Sequence, residues 1–113
     1  MKNELRIGNW VLIHRTEIQM LEGDFSFRDD FFSPIPLNDK WLLNFGFEVD
    51  DINWEYWKEL DKFSLMYDAR SCVVYINDGY GYEGASIPNT IKYVHQLQNL
   101  YFALTNEELT LKL

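Results

Sequence analysis

From residue 91 onward, Ile91, Val94, Leu97, Leu100, Tyr101 and Leu104 recur at three- and four-residue steps, and this stripe constrains the fold more than any other feature of the chain. The spacing predicts a helix with one apolar side, started by Asn89 or Thr90 and ended by Asn106, which tolerates a left-handed terminus. Such a helix needs an apolar layer to lie on.

The preceding chain supplies strands for that layer. Leu5 to Ile13 (LRIGNWVLI) is rich in β-branched and aromatic residues, with Gly8 and Asn9 where a bulge or bend fits. Thr16 to Leu21 reads as a second strand, Glu22-Gly23-Asp24 as a turn, and Phe25-Ser-Phe27 as a short third strand. In residues 29–36 (DDFFSPIP) two prolines remove two backbone donors, so this segment reads as a connector and not as a central strand. Asn38 is placed to cap a short helix near 38–45, with Asp39 in its first turn, Trp41, Leu42 and Phe45 on one side, and Gly46 at its left-handed end.

Between Glu48 and Asp61 the periodicity is mixed. Trp54, Trp57 and Leu60 fit a helical step, while Ile52, Trp54 and Tyr56 fit the alternation of a strand, and the strand reading is preferred. Phe63 to Tyr67 and Cys72 to Ile76, joined by Asp68-Ala-Arg-Ser71, read as a hairpin. The expected fold is α+β: an antiparallel, meander-like sheet of about five to six strands covered by the C-terminal helix, with the short helix added, in one domain spanning 1–113.

Composition narrows the function classes. Ten basic residues face 18 acidic ones, a net charge of -8, so direct nucleic-acid binding, which relies on phosphate neutralisation, is not expected. The excess of acid serves solubility, or it serves attraction of a basic partner. The single cysteine, Cys72, has no internal disulfide partner, and the opening MKNELRIGNW lacks the apolar core of a signal peptide, so a cytoplasmic location is expected. No apolar run approaches the ~20 residues of a membrane helix, and no membrane association is expected.

Three stretches of wording carry a resemblance. PIPLNDKWLLNFGF at 34–47, IKYVHQLQNLYFALTNEEL at 91–109 and the opening LRIGNWV at 5–11 resemble a family of small uncharacterised proteins of Bacteroidetes and their phages. Asn106 stands where a glycine is usual in that family, a mild departure because both tolerate the left-handed helix end. The resemblance implies a shared fold and an association with phage or other mobile elements. It implies no activity, cofactor or catalytic residue.

Candidate chemistry is sparse. Gly79-Tyr-Gly81-Tyr-Glu-Gly84 has the form G-x-G-x-x-G, but Ile87-Pro88 follows where a helix should open, so a turn is the plainer account. His95, beside Gln96, Gln98 and Asn99, either lines a ligand site or, as buried amides and imidazoles more often do, satisfies backbone groups of a neighbouring loop. His14 lacks ligands at metal spacing, Cys72 sits in an apolar strand that would raise its pKa, and the pairs Asp29-Asp30 and Asp50-Asp51 match no calcium loop. No catalytic residue, metal or cofactor is expected.

The remaining constellation is acidic and aromatic. Trp54, Glu55, Tyr56, Trp57 and Glu59, together with Tyr80 and Tyr82 of the glycine-rich loop, form a candidate interaction surface, since tryptophan and tyrosine are enriched at hot spots and carboxylates steer basic partners. The competing account is that these rings fill the core. The leading expectation is a non-enzymatic accessory protein that binds another protein, with a homodimer as a further possibility. The alternatives are a small-molecule or nucleotide binder, or an enzyme acting on such a ligand, using the Gly79–Gly84 loop and His95, and an acidic inhibitor that mimics DNA.

Overall fold

The computed structural model describes residues 5–13, 16–20, 32–50, 52, 54–60, 63–77, 85–87 and 90–111. They fall into two units, one drawn from the described residues of Met1–Leu37 and Lys92–Thr110, the other from those of Asn38–Ile91 and Leu111–Leu113. The α+β class is as the sequence predicts, and the described strands divide between two antiparallel sheets.

In the first unit, β1 (Trp10–Ile13) lies between β2 (Thr16–Gln19) and β3 (Phe32–Ser33). The register pairs Val11 with Ile18 and Ile13 with Phe32. β3 falls inside the proline-bearing segment expected to be a mere connector. It is a two-residue strand at the sheet edge, where the missing donors of Pro34 and Pro36 just beyond it leave no ladder broken. Leu5, Val11 and Met20 form a small apolar core with Ile13 and Ile18 packed on it. The expected third strand at 25–27 lies outside the described residues.

Helix α2 (Val94–Thr105) packs against β1, as its apolar stripe requires. It starts later than expected, because Ile91 and Lys92 lie outside the helix and Tyr93 is extended, φ -126° and ψ 152°. Pro36 bridges Tyr93, and the Leu37 and Val94 N–H groups donate to the carbonyls of Lys92 (2.9 Å) and Ile35 (2.9 Å). Gln96 compensates the opening turn by accepting from the N–H groups of Lys92 (2.9 Å) and Tyr93 (3.1 Å) with Oε1. Asn106 ends the helix in the left-handed conformation, φ 59°, its N–H on the Phe102 carbonyl.

A set of polar groups ties α2 to the segment before β1. Gln98, fully buried, accepts from the Trp10 N–H (2.8 Å) and donates Nε2 to the Gly8 carbonyl (2.9 Å). Asn9, also fully buried, donates to Asn99 Oδ1 (2.9 Å) and accepts the Arg6 N–H (2.6 Å). The Arg6 guanidinium lies 4.4 Å over the Phe102 ring, donates to Asn99 Oδ1 (2.7 Å) and the Gln98 carbonyl (3.2 Å), and pairs with Glu108. Gly8 has φ +99°, and a Cβ there would sit 3.0 Å from Glu108 Oε2, so only glycine suits this close turn.

In the second unit, α1 (Asp39–Asn44) is capped by Asn38, whose Oδ1 accepts the Trp41 N–H at 3.1 Å. Gly46, φ 92°, turns the chain out of the helix while the Gly46 and Phe47 N–H groups close onto the Leu43 and Leu42 carbonyls. The five-stranded sheet runs in sequence order: β4 (Glu48–Asp50), β5 (Glu55–Glu59), β6 (Ser64–Asp68), β7 (Val73–Asn77) and β8 (Ala85–Ser86). The ambiguous 48–61 segment is thus two strands with a turn between them, where Trp54 takes a left-handed φ of 58°.

One face of this sheet meets α1. Trp41, Leu42, Phe45 and Phe47 are buried, as are Tyr56, Leu65, Tyr67 and Val74 from three successive strands. Each fully buried aliphatic chain in such a layer contributes about 1.5–3 kcal/mol. Tyr56 donates its hydroxyl to Asp39 (2.6 Å), and Lys58 donates to the Phe45 carbonyl (3.1 Å), which pins α1 over β5. Tyr67 donates to the Ile91 carbonyl at 2.7 Å, and the Ile91 N–H donates to the Cys72 carbonyl. Ile91, counted in the helical stripe from its spacing, is therefore part of this second core and not of α2.

Candidate functional site

Alternation along β5 sends Tyr56 and Lys58 toward α1 and Glu55, Trp57 and Glu59 to the opposite face. Directly paired residues of antiparallel strands share a face, so the register extends that face across the sheet. One row runs Glu48, Trp57, Met66, Tyr75 and Ser86 through all five strands. A second row runs Asp50, Glu55, Asp68 and Val73. A third holds Glu59, Ser64 and Asn77.

Trp57, Met66 and Tyr75 are half-buried, and they line a cavity of about 370 Å³ together with Glu55, Asp68, Arg70 and Asn77. That volume lies in the range of small-ligand pockets, about 300–1,000 Å³. Five carboxylates, those of Glu48, Asp50, Glu55, Glu59 and Asp68, share the face with one described cation, Arg70.

The turn between β6 and β7 shapes one end of the cavity. Asp68 Oδ1 accepts the Arg70 N–H at 2.9 Å, and Arg70 Nε lies 3.6 Å from the same oxygen. Partial burial pushes the Asp68 carboxyl upward, but the Arg70 N–H, the Arg70 charge and the Ser71 hydroxyl and N–H outweigh it, holding the group below its usual range. Cys72, read from sequence as a strand residue, closes this turn in a left-handed conformation, φ 60°, with its N–H on the Asp68 carbonyl (2.8 Å).

The sequence-predicted surface is divided by this geometry. Trp57 and Glu55 line the cavity, and Glu59 is exposed on the same face. Trp54 is 57% exposed at the β4–β5 turn, beside Ile52 at 87%, and its carbonyl accepts the Ala69 N–H (3.1 Å) next to Arg70. Tyr56, only 5% exposed, belongs to the α1 side. Tyr80, Tyr82 and the rest of the 79–84 loop lie outside the described residues, as do His14 and the 29–30 acidic pair. His95 is 2% exposed in α2, its ring parallel to that of Tyr93 at 6.1 Å.

Met66, Asp68, Arg70, Tyr75 and Asn77 were not singled out from sequence. The alternation of Ser64, Met66 and Asp68 and of Val73, Tyr75 and Asn77 was the available signal, once the four-residue turn fixed which strand positions face each other. Among the described residues no group of three His, Cys, Asp or Glu is placed to hold a metal ion, and no helix is long and apolar enough to cross a membrane. The chain has no match among protein-family models, curated proteins or solved structures.

Proposed function

We propose that the protein is a non-enzymatic binding module that receives a basic segment of another protein on the acidic, aromatic face of its five-stranded sheet. The observation that carries this reading is the Trp57-Met66-Tyr75 row, half-buried on its own sheet and bordered by five carboxylates. Aromatic rings supply contact area at low entropic cost, and surrounding acids attract a basic partner and suppress acidic ones. The exposed Trp54 and Ile52 at the neighbouring turn extend the apolar contact. Cytoplasm is the location we propose. Given the resemblance at 5–11, 34–47 and 91–109, a phage, mobile-element or host protein is the partner to look for first.

A photo-crosslinking residue placed at Asn77, in the cavity, tests this against one at Lys40 on α1. The expected product is a partner captured from Asn77 alone, whose affinity for the purified chain falls with added salt and with Glu55→Lys. Equal capture from both positions, or binding indifferent to salt and to Glu55→Lys, removes the reading. Capture of a second copy of the chain replaces it with a homodimer.

A further inference from the structure

We infer that the cavity takes an arginine side chain of the partner, stacked between Trp57 and Tyr75, and that the incoming guanidinium displaces Arg70, at the cavity's rim, from its pairing with Asp68. This rests on the binding-module reading above.

The spacing leaves room for a flat group. Trp57 and Tyr75 stand on β5 and β7 with β6 between them, so their backbones are separated by two strand spacings, roughly 9.6 Å. A planar group in contact with a ring on each side needs two gaps of ~3.5 Å. Met66, paired with both aromatic residues, forms an adaptable floor between them.

The acceptors favour the guanidinium over the ammonium. Glu55 and Asp68 are direct cross-strand partners in the adjoining row, so two carboxylates border the same opening. A guanidinium presents several donors in one plane while its faces remain free for the rings, whereas a lysine ammonium is a point charge that gains less from stacking. With four further acids on the face beside Asp68, and Arg70 the one cation there among the described residues, the field draws in a cation.

Arg70 shows that this end of the cavity tolerates a guanidinium. It lines the cavity, yet its side chain is 64% exposed and its Nε stands 3.6 Å from an Asp68 oxygen whose own side chain is 17% exposed. That is a loose, screened pairing and an easily exchanged one. The acceptor stays in place when Arg70 leaves, because the Arg70 backbone N–H still holds Asp68.

The test is a low-salt NMR titration of the full chain with the capped peptide Gly-Ser-Arg-Ser-Gly and its lysine and citrulline counterparts. The arginine peptide should shift the Trp57 indole and the Met66 and Tyr75 amides, bind about tenfold more tightly than the lysine peptide, and lose all effect as citrulline. Arg70→Ala should tighten arginine-peptide binding about threefold, and Trp57→Leu should abolish it, with unchanged amide positions in α1, which packs on the other face of the same sheet, certifying the fold. Equal affinity for arginine and lysine, or indifference to Arg70→Ala, overturns the arginine inference while leaving a basic-segment module standing. Silence of these resonances with every peptide overturns it too, and the module reading then stands or falls on the Asn77 crosslink.

Discussion

Around β1 and α2 the buried groups include the side-chain amides of Asn9 and Gln98, each hydrogen-bonded to a partner distant in sequence. Between α1 and the five-stranded sheet they are mostly rings and aliphatic chains, with the Tyr56 and Tyr67 hydroxyls each given an acceptor. The first arrangement is specified by hydrogen bonds, and removing a partner leaves a buried donor or acceptor stranded. The second is specified by shape and closes its core with one face of the sheet. Its other face is then released from folding duty, and there the half-buried aromatics and the carboxylates gather. The buried amides of Asn9 and Gln98 are accounted for by structure, and recognition is better sought on the second unit.

The most damaging way to break this contrast is to strike the polar set. Gln98→Leu keeps much of the volume but deprives the Trp10 N–H of its acceptor, and should cost about 3 kcal/mol in denaturant unfolding. A cost under about 1 kcal/mol would mean that water or a neighbour replaces the amide, and the first unit would be no more polar in specification than the second. Gly8→Ala comes next, at about 2 kcal/mol, since it adds a Cβ both in a left-handed conformation and 3.0 Å from Glu108 Oε2.

These two substitutions also mark where sequence reading stopped. Local signals were legible: the Asn38 cap, Gly46, Asn106 and the β6–β7 hairpin each follow from residues within a few positions of one another. The Arg6–Asn99 and Gln98–Gly8 contacts join residues 93 and 90 positions apart, and no periodicity announces such a pair. The polar wording of α2 suggested that its amides serve a neighbouring backbone, without saying which. The late start of α2 was hidden because Ile91 fits the helical stripe by spacing alone, while its N–H and carbonyl are committed to Cys72 and Tyr67. In the candidate site, Trp57, Glu55 and Glu59 were legible, but composition could not tell that Tyr56 turns away from them. Once 55–59 is a strand, adjacent residues must diverge.

In the second unit the corresponding test is gentler. Tyr67→Phe removes one hydrogen bond to the Ile91 carbonyl and should cost about 1 kcal/mol, a third of the Gln98 effect. Burial, then the neighbouring Cys72 thiol, raises the Tyr67 pKa above its ordinary value. A group whose pKa is raised on folding contributes stability that is complete below its unfolded value and lost as pH climbs toward the folded one. Unfolding free energy of the native chain should therefore fall above about pH 10, more steeply than in Tyr67→Phe. Parallel curves would show that this phenol is not desolvated by the fold.

The smallest expected effect has the opposite sign. Trp54 holds a left-handed φ of 58° with a bulky side chain that is 57% exposed, so it carries backbone strain with little burial to offset it. Trp54→Gly relieves that strain but frees the unfolded chain, and the balance should be a gain of about 0.5 kcal/mol. The same variant should weaken partner binding, because it deletes the exposed ring of the β4–β5 turn, whose backbone carbonyl accepts the Ala69 N–H next to Arg70. A strained, solvent-facing tryptophan is expected where recognition and not folding retains it. A loss of stability above about 1 kcal/mol would instead make Trp54 a packing residue, and the contrast between a self-contained first unit and an outward-looking second one would narrow to the sheet face alone.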